Sequence, residues 1–158
     1  MSYKAIVVVL PWLSTPTDVL NLHIELFQSL GCRVIVYPCH AAMVVASLLP
    51  EFARKNMRHI LQLVQDVLII SGDMPVVFFP LSGSATVYNN ILECLCARDD
   101  DACTTDAHQF SPVVRNFSGQ IFDSAPFDVT QHAALDQLAA DEPGLIRSTR
   151  LALVKVRN

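Results

Sequence analysis

Val76-Val77-Phe78-Phe79-Pro80-Leu81-Ser82-Gly83-Ser84-Ala85-Thr86 contains the turn on which the reading of the fold rests. A β-rich apolar run stops at a cluster of small residues. Val87, Ile91, Leu92 and Leu95 then recur at helical spacing. Strand, sharp turn, serine and helix make the local context of a nucleophile elbow. There a serine tops a parallel strand, and the N-terminus of the next helix favours developing negative charge. The standard elbow has glycine two residues before and two after the serine, where strand and helix nearly collide. Around Ser82 those positions are Pro80 and Ser84; Ser84 is small enough, and Pro80 is a departure.

On either side of this turn, strands and helices alternate. Residues 3–10 are a near-continuous β-branched run, the pattern of a strand buried on both faces. Residues 16–31 read as a helix, with Thr15 or Thr17 at its cap, Leu20, Ile24, Phe27 and Leu30 as its apolar stripe, and Gly31 as its stop. Residues 32–37 form a second buried strand. Residues 50–70 form a second helix with Phe52, Met57, Ile60, Leu61, Val64 and Leu68 on its buried side. A third strand covers 75–81, and the helix after Ser82 runs to about 97. Residues 98–109, with Asp99-Asp100-Asp101, read as a polar surface loop, and 117–124 as a fourth strand. Residues 130–140 look helical, Pro143 opens another helix or turn, and 151–156 fit helix and strand equally. No repeat or linker divides residues 1–158, which therefore form a single domain. The alternation predicts a parallel α/β sheet with right-handed crossovers and helices on both faces, its four strands in the order second, first, third, fourth.

The totals narrow the function. Of 158 residues, 52% are hydrophobic and 16% charged, a rich core under a thin polar coat. A formal net charge of −4, without a run of Lys or Arg longer than two, argues against nucleic-acid binding. No apolar stretch approaches the roughly 18 residues of a spanning helix, so no membrane span is expected. Pro11 and Trp12 break the run after Lys4 without a signal-peptide cleavage pattern. The five cysteines have no framework spacing, which suits reduced thiols in an intracellular, cytoplasmic protein. Cys94, Cys96, Cys103 and His108 are the residues available as zinc ligands. Cys94 and Cys96 fall on different sides of one helix, a poor ligand geometry. Neither a metal nor a cofactor is expected.

Four segments, taken in order, resemble one family. They are Val8-Val9-Leu10-Pro11-Trp12-Leu13, Leu30-Gly31-Cys32-Arg33-Val34-Ile35-Val36, Phe79-Pro80-Leu81-Ser82-Gly83-Ser84 with Tyr88, and Ser118-Gly119-Gln120-Ile121-Phe122-Asp123-Ser124-Ala125-Pro126. The set is similar to the transmembrane protein 53 family, also called domain of unknown function 829. The resemblance implies a three-layer α/β-hydrolase-like core. Trp12, Tyr88 and Asp123-Ser124-Ala125-Pro126 match the family pattern. Leu81-Ser82-Gly83-Ser84 lies where the family has Ser-Asn-Gly-Gly, so Ser82 stands where many relatives carry Asn. The resemblance also implies later strands carrying an acid and a histidine. The chain ends soon after the fourth strand, so it looks like the N-terminal part of such a fold or a shortened relative. Association with the nuclear envelope is implied by the resemblance alone.

As a nucleophile, Ser82 needs an oxyanion hole and a base. The expected donors are the backbone N–H of Gly83 and that of Trp12 or Leu13, in the loop after the first strand. His23 and His59 read as surface residues of helices. His40 lies one strand too far out, and His108 sits in the acidic loop. His132, after the fourth strand, is the best base, with His108 second and Asp123 as a displaced triad acid. Structural alternatives stand beside each role. Asp123 can cap the turn through the backbone of Ser124 and Ala125. Gly83 can absorb the strained conformation in place of Ser82, leaving Ser82 or Ser84 as an ordinary helix N-cap, and Trp12 can be a core or rim aromatic.

Three functions compete. The first is a serine hydrolase acting on a small ester or thioester. The second is a non-catalytic α/β-hydrolase-like scaffold that binds a protein partner or a membrane surface. The third is an incomplete protein whose apolar edge strand needs a missing segment or a second copy, the latter by self-association through the exposed sheet edge. A serine hydroxyl is a weak nucleophile without an adjacent base. No histidine falls where the fold normally delivers one, so little or no turnover on simple esters is expected. Oxyanion donors alone leave a residual enhancement of about 10³ over water.

Overall fold

Ile6, Val7, Val8, Val9 and Leu10 are all buried and form the centre of the sheet. The structure, a computed structural model, describes residues 3–12, 15–40, 43, 49–96 and 104–123. Its strands are β1 (Ile6–Leu10), β2 (Arg33–Val36), β3 (Val76–Pro80) and β4 (Phe117–Gln120), and its helices α1 (Thr17–Ser29), α2 (Pro50–Ser71), α3 (Ala85–Leu95), α4 (Thr104–Gln109) and α5 (Ser111–Asn116). All strand pairings are parallel, in the order β2-β1-β3-β4, as the alternating pattern predicts. Val8 pairs with Ile35 on one side and Phe78 on the other. Continuous apolar strands demand cover on both faces, and the core accordingly divides in two. Ile6, Val8, Leu10 and Phe78 pack with Met57, Ile60, Leu61 and Val64 of α2, Tyr88 and Ile91 of α3, and Val113 of α5. Val7, Val9, Phe79 and Leu81 pack with Phe27 and Leu20 of α1 on the opposite face.

The helix ends follow from local chemistry. Gly31 has φ 82°, donates its N–H to Gln28 O at 2.9 Å, and is followed by Cys32 N–H donating to Phe27 O at 3.0 Å. This paired closure needs a left-handed residue, which glycine supplies without a Cβ penalty. Pro50 opens α2, where its missing N–H costs nothing. Gly72, at φ 80°, takes the chain out of α2 toward β3.

Two stripe residues differ from expectation. Phe52 is 53% exposed because the packed positions 57, 60, 61, 64 and 68 project back onto Ala53. Leu30 is 54% exposed because it already belongs to the turn that ends α1.

The expected loop 98–109 instead ends in a helix, α4, and α5 follows it. Asp106 explains the ordering. Its fully buried carboxylate accepts from Arg54 Nε at 2.6 Å and Arg58 Nε at 2.7 Å, two half-exposed arginines one turn apart on α2. Burial pushes this carboxyl up, but the hydrogen bonds and charges of Arg54 and Arg58 outweigh it and hold the group below the usual carboxylate range. Strand β4 is shorter than expected. Its register skips Ser118, with Val76 opposite Phe117 and Val77 opposite Gly119, and among the described residues beyond Gln120 only Asp123 pairs again, opposite Leu81. Residues 130–140, 143 and 151–156 lie outside the described residues. Among the described residues, no helix is long and apolar enough to cross a membrane.

Candidate active site

At the end of β3 the backbone turns sharply. Leu81 is extended, Ser82 has φ 48°, and Ser82–Ser84 form one 3₁₀ turn that leads into α3. Ser82 is the sole non-glycine residue at positive φ among the described residues. A side chain in that region costs on the order of 1–3 kcal/mol and persists where the surroundings over-determine it. Here they do. Ser82 N–H donates to Asp123 O at 3.0 Å, and Leu81 N–H donates to Leu10 O at 2.9 Å. The Ser84 hydroxyl accepts from Leu81 N–H at 3.0 Å, and its proton faces Leu10 O at 2.6 Å and Leu81 O at 2.9 Å. Ser84 therefore staples the turn to β1. Ser84 stands at the N-cap of α3 without a side-chain cap hydrogen bond there, its hydroxyl serving Leu81 N–H at the start of the 3₁₀ turn instead. Gly83 is not at positive φ, and a Cβ built on it meets nothing within 4 Å. The strained conformation thus falls on Ser82, against the alternative that Gly83 absorbs it. Pro80, the departure from the standard elbow, is the last residue of β3, opposite Leu10.

Ser82 retains 8% of its surface. Its hydroxyl has no hydrogen-bond partner among the described residues and is not among their enclosed, unpartnered atoms. Gly83 N–H lies in the first turn of a helix, where no intrahelical acceptor exists. A backbone N–H of this kind is the donor type that an oxyanion hole uses. Trp12 follows Leu10 by two residues, and Leu10 is bonded to both Leu81 and Ser84, so its loop leaves the sheet beside the elbow. The half-buried Trp12 is held by Thr15, whose N–H and hydroxyl both donate to Trp12 O, at 3.1 and 2.8 Å. Leu13 lies outside the described residues.

Asp123 joins this edge of the sheet through backbone and side chain together. Its carbonyl accepts Ser82 N–H, and its carboxylate lies 3.9 Å from His23 Nε2. His23 lies edge-on to Phe79 with ring centroids 5.2 Å apart, and Phe79 packs on Phe27 in the same way at 5.1 Å. His23 is therefore not the surface residue its helix suggests. The signal was present: His23 falls three residues after Leu20 and four before Phe27, inside the apolar stripe of α1. His132, the expected base, lies outside the described residues. His108 is exposed on α4, and His59 is exposed with Nδ1 3.0 Å from Tyr37 Oη. Tyr88 is fully buried, its hydroxyl donates to Gln120 Oε1, and its ring packs on Phe78 and Phe122, so it ties α3 to β4. Burial pushes its phenol above the ordinary range.

Cys94 is buried and Cys96 exposed, on different sides of the end of α3, and Cys103 lies outside the described residues. Comparison with known proteins returns no match among family models, curated proteins or solved structures. The resemblance to the transmembrane protein 53 family rests on the four quoted segments alone.

Proposed function

We propose that this chain is a serine hydrolase of α/β-hydrolase type, with Ser82 as the nucleophile and a small ester or thioester as substrate. The observation that carries this reading is the φ of 48° at Ser82, between a parallel strand and a helix. The strain is applied to a serine although an unstrained glycine follows it. Strain held at a chemically competent residue, on the edge where parallel α/β sheets carry their sites, supports a catalytic use. Gly83 N–H and a donor from the Trp12–Leu13 loop complete the oxyanion hole of this reading. None of the four described cysteines is in a disulfide, which suits a reducing, intracellular setting.

A fluorophosphonate probe tests the reading, because it forms a covalent bond to an activated serine. Labelling of the parent at Ser82, lost in Ser82→Ala, is the expected result. Any hydrolysis of p-nitrophenyl esters should likewise depend on Ser82. The scaffold reading is favoured by one observation: no described residue accepts the Ser82 hydroxyl proton. Absent labelling and turnover in a folded parent would select it.

A further inference from the structure

We infer that His23 of α1 is the general base for Ser82, with Asp123 as its positioning residue, an inference that rests on the hydrolase reading of Ser82. Three observations converge. Asp123 is pinned to the elbow, since its carbonyl accepts Ser82 N–H at 3.0 Å and its backbone pairs with Leu81. The carboxylate of that same residue lies 3.9 Å from His23 Nε2. The imidazole is restrained on another side by Phe79, the strand residue three before Ser82, and 23% of its side chain is exposed. An acid, a histidine and a strained serine are thus linked through one residue. The base comes from the helix after the first strand rather than from a late segment of the chain.

The chemistry closes with these groups. In this mechanism the ring nitrogen nearer Asp123 carries the proton, and the other ring nitrogen is the acceptor. As Ser82 Oγ bonds to the ester carbonyl carbon, its proton passes to that acceptor nitrogen. Asp123 stabilises the imidazolium. The carbon–oxygen bond to the leaving alcohol then breaks, and the imidazolium returns the proton to the alcohol. Water attacks the acyl-serine by the same route, giving acid and regenerated serine. No hydrogen bond joins Ser82 to His23 in the substrate-free site among the described residues. Catalytic hydrogen bonds commonly tighten only once substrate is bound.

The test compares the full-length parent with Ser82→Ala, His23→Gln, His23→Ala, Asp123→Asn, His132→Gln and the surface control His59→Gln. The readouts are fluorophosphonate labelling rate, p-nitrophenyl acetate turnover, and thermal melting as a check on folding. The expected result is a loss of about 10²–10⁴-fold in both rates for His23→Gln, the usual worth of general-base catalysis. Its melting curve should stay parental. Added imidazole should restore part of the turnover of His23→Ala, which a structural role for His23 would not produce. Asp123→Asn should fall in the same direction, and His59→Gln should behave as the parent. Ser82-dependent labelling that is unchanged in both His23 variants, and lost in His132→Gln, overturns this assignment while leaving the nucleophile in place. Absence of any Ser82-dependent labelling in a folded parent overturns both.

Discussion

At Ser82 the chain stores strain that a glycine would remove. Replacing a non-glycine residue in the left-handed region by glycine relieves about 1–2 kcal/mol of steric cost. Ser82→Gly should therefore be more stable than Ser82→Ala by about 1 kcal/mol, after glycine's greater unfolded-state freedom is deducted. Urea denaturation of both variants checks this, and equal midpoints would mean that Ser82 is not held at positive φ in solution. Ser84 is the partner residue. Its hydroxyl bridges Leu81 and Leu10 in a buried turn; Leu81 N–H and Leu10 O keep their own hydrogen bond without it, so Ser84→Ala removes the bridging bonds alone and should cost about 0.5–1.5 kcal/mol. The serine cluster was legible as an elbow from its order along the chain. Which serine is strained and which is a staple was not, because that depends on the carbonyls of Leu10 and Asp123, residues distant in sequence.

At the scale of elements, α4 shows a short helix ordered by charge rather than by propensity. Its six residues, TTDAHQ, lack an apolar stripe and fall below the length at which an isolated helix is stable. Asp106 supplies what the pattern lacks, reaching Arg54 and Arg58 on α2. With the folded carboxyl held below its unfolded value near 3.9, the stabilisation is fully present above that value. It is lost as pH falls through the lower folded value. Thermal melting should accordingly drop in that acid window, and Asp106→Asn should flatten this part of the profile while lowering stability at pH 7 by about 2 kcal/mol. An unchanged profile in Asp106→Asn would assign the acid sensitivity to other carboxylates. Helix α1 shows the converse case. Its existence and its glycine stop were readable from periodicity, whereas the value of His23 within its stripe emerged only when Phe79 and Asp123 were brought against it.

Across the whole molecule, thiol reactivity reports burial. Cys39 is enclosed, and burial pushes its thiol up to about 12, so little thiolate forms at neutral pH. Cys94 is fully buried and Cys96 exposed. With a disulfide-exchange reagent on the native chain, Cys96→Ser should remove about one equivalent from the fast phase, while Cys39→Ser should leave that phase unchanged. Loss of fast equivalents in Cys39→Ser would mean that this part of the sheet edge opens readily. The parallel sheet, its strand order and its two-sided cover were determined by sequence alone, because β-branched runs such as residues 6–10 have no stable place except between two layers. The conformation of Ser82, the anchoring of α4 and the meeting of His23 with Asp123 were decided by tertiary structure alone. Each arises where polar groups far apart in the chain must satisfy one another at a shared edge or interface. Periodicity records which face of an element is buried, and it carries no information about which distant donor will meet which acceptor.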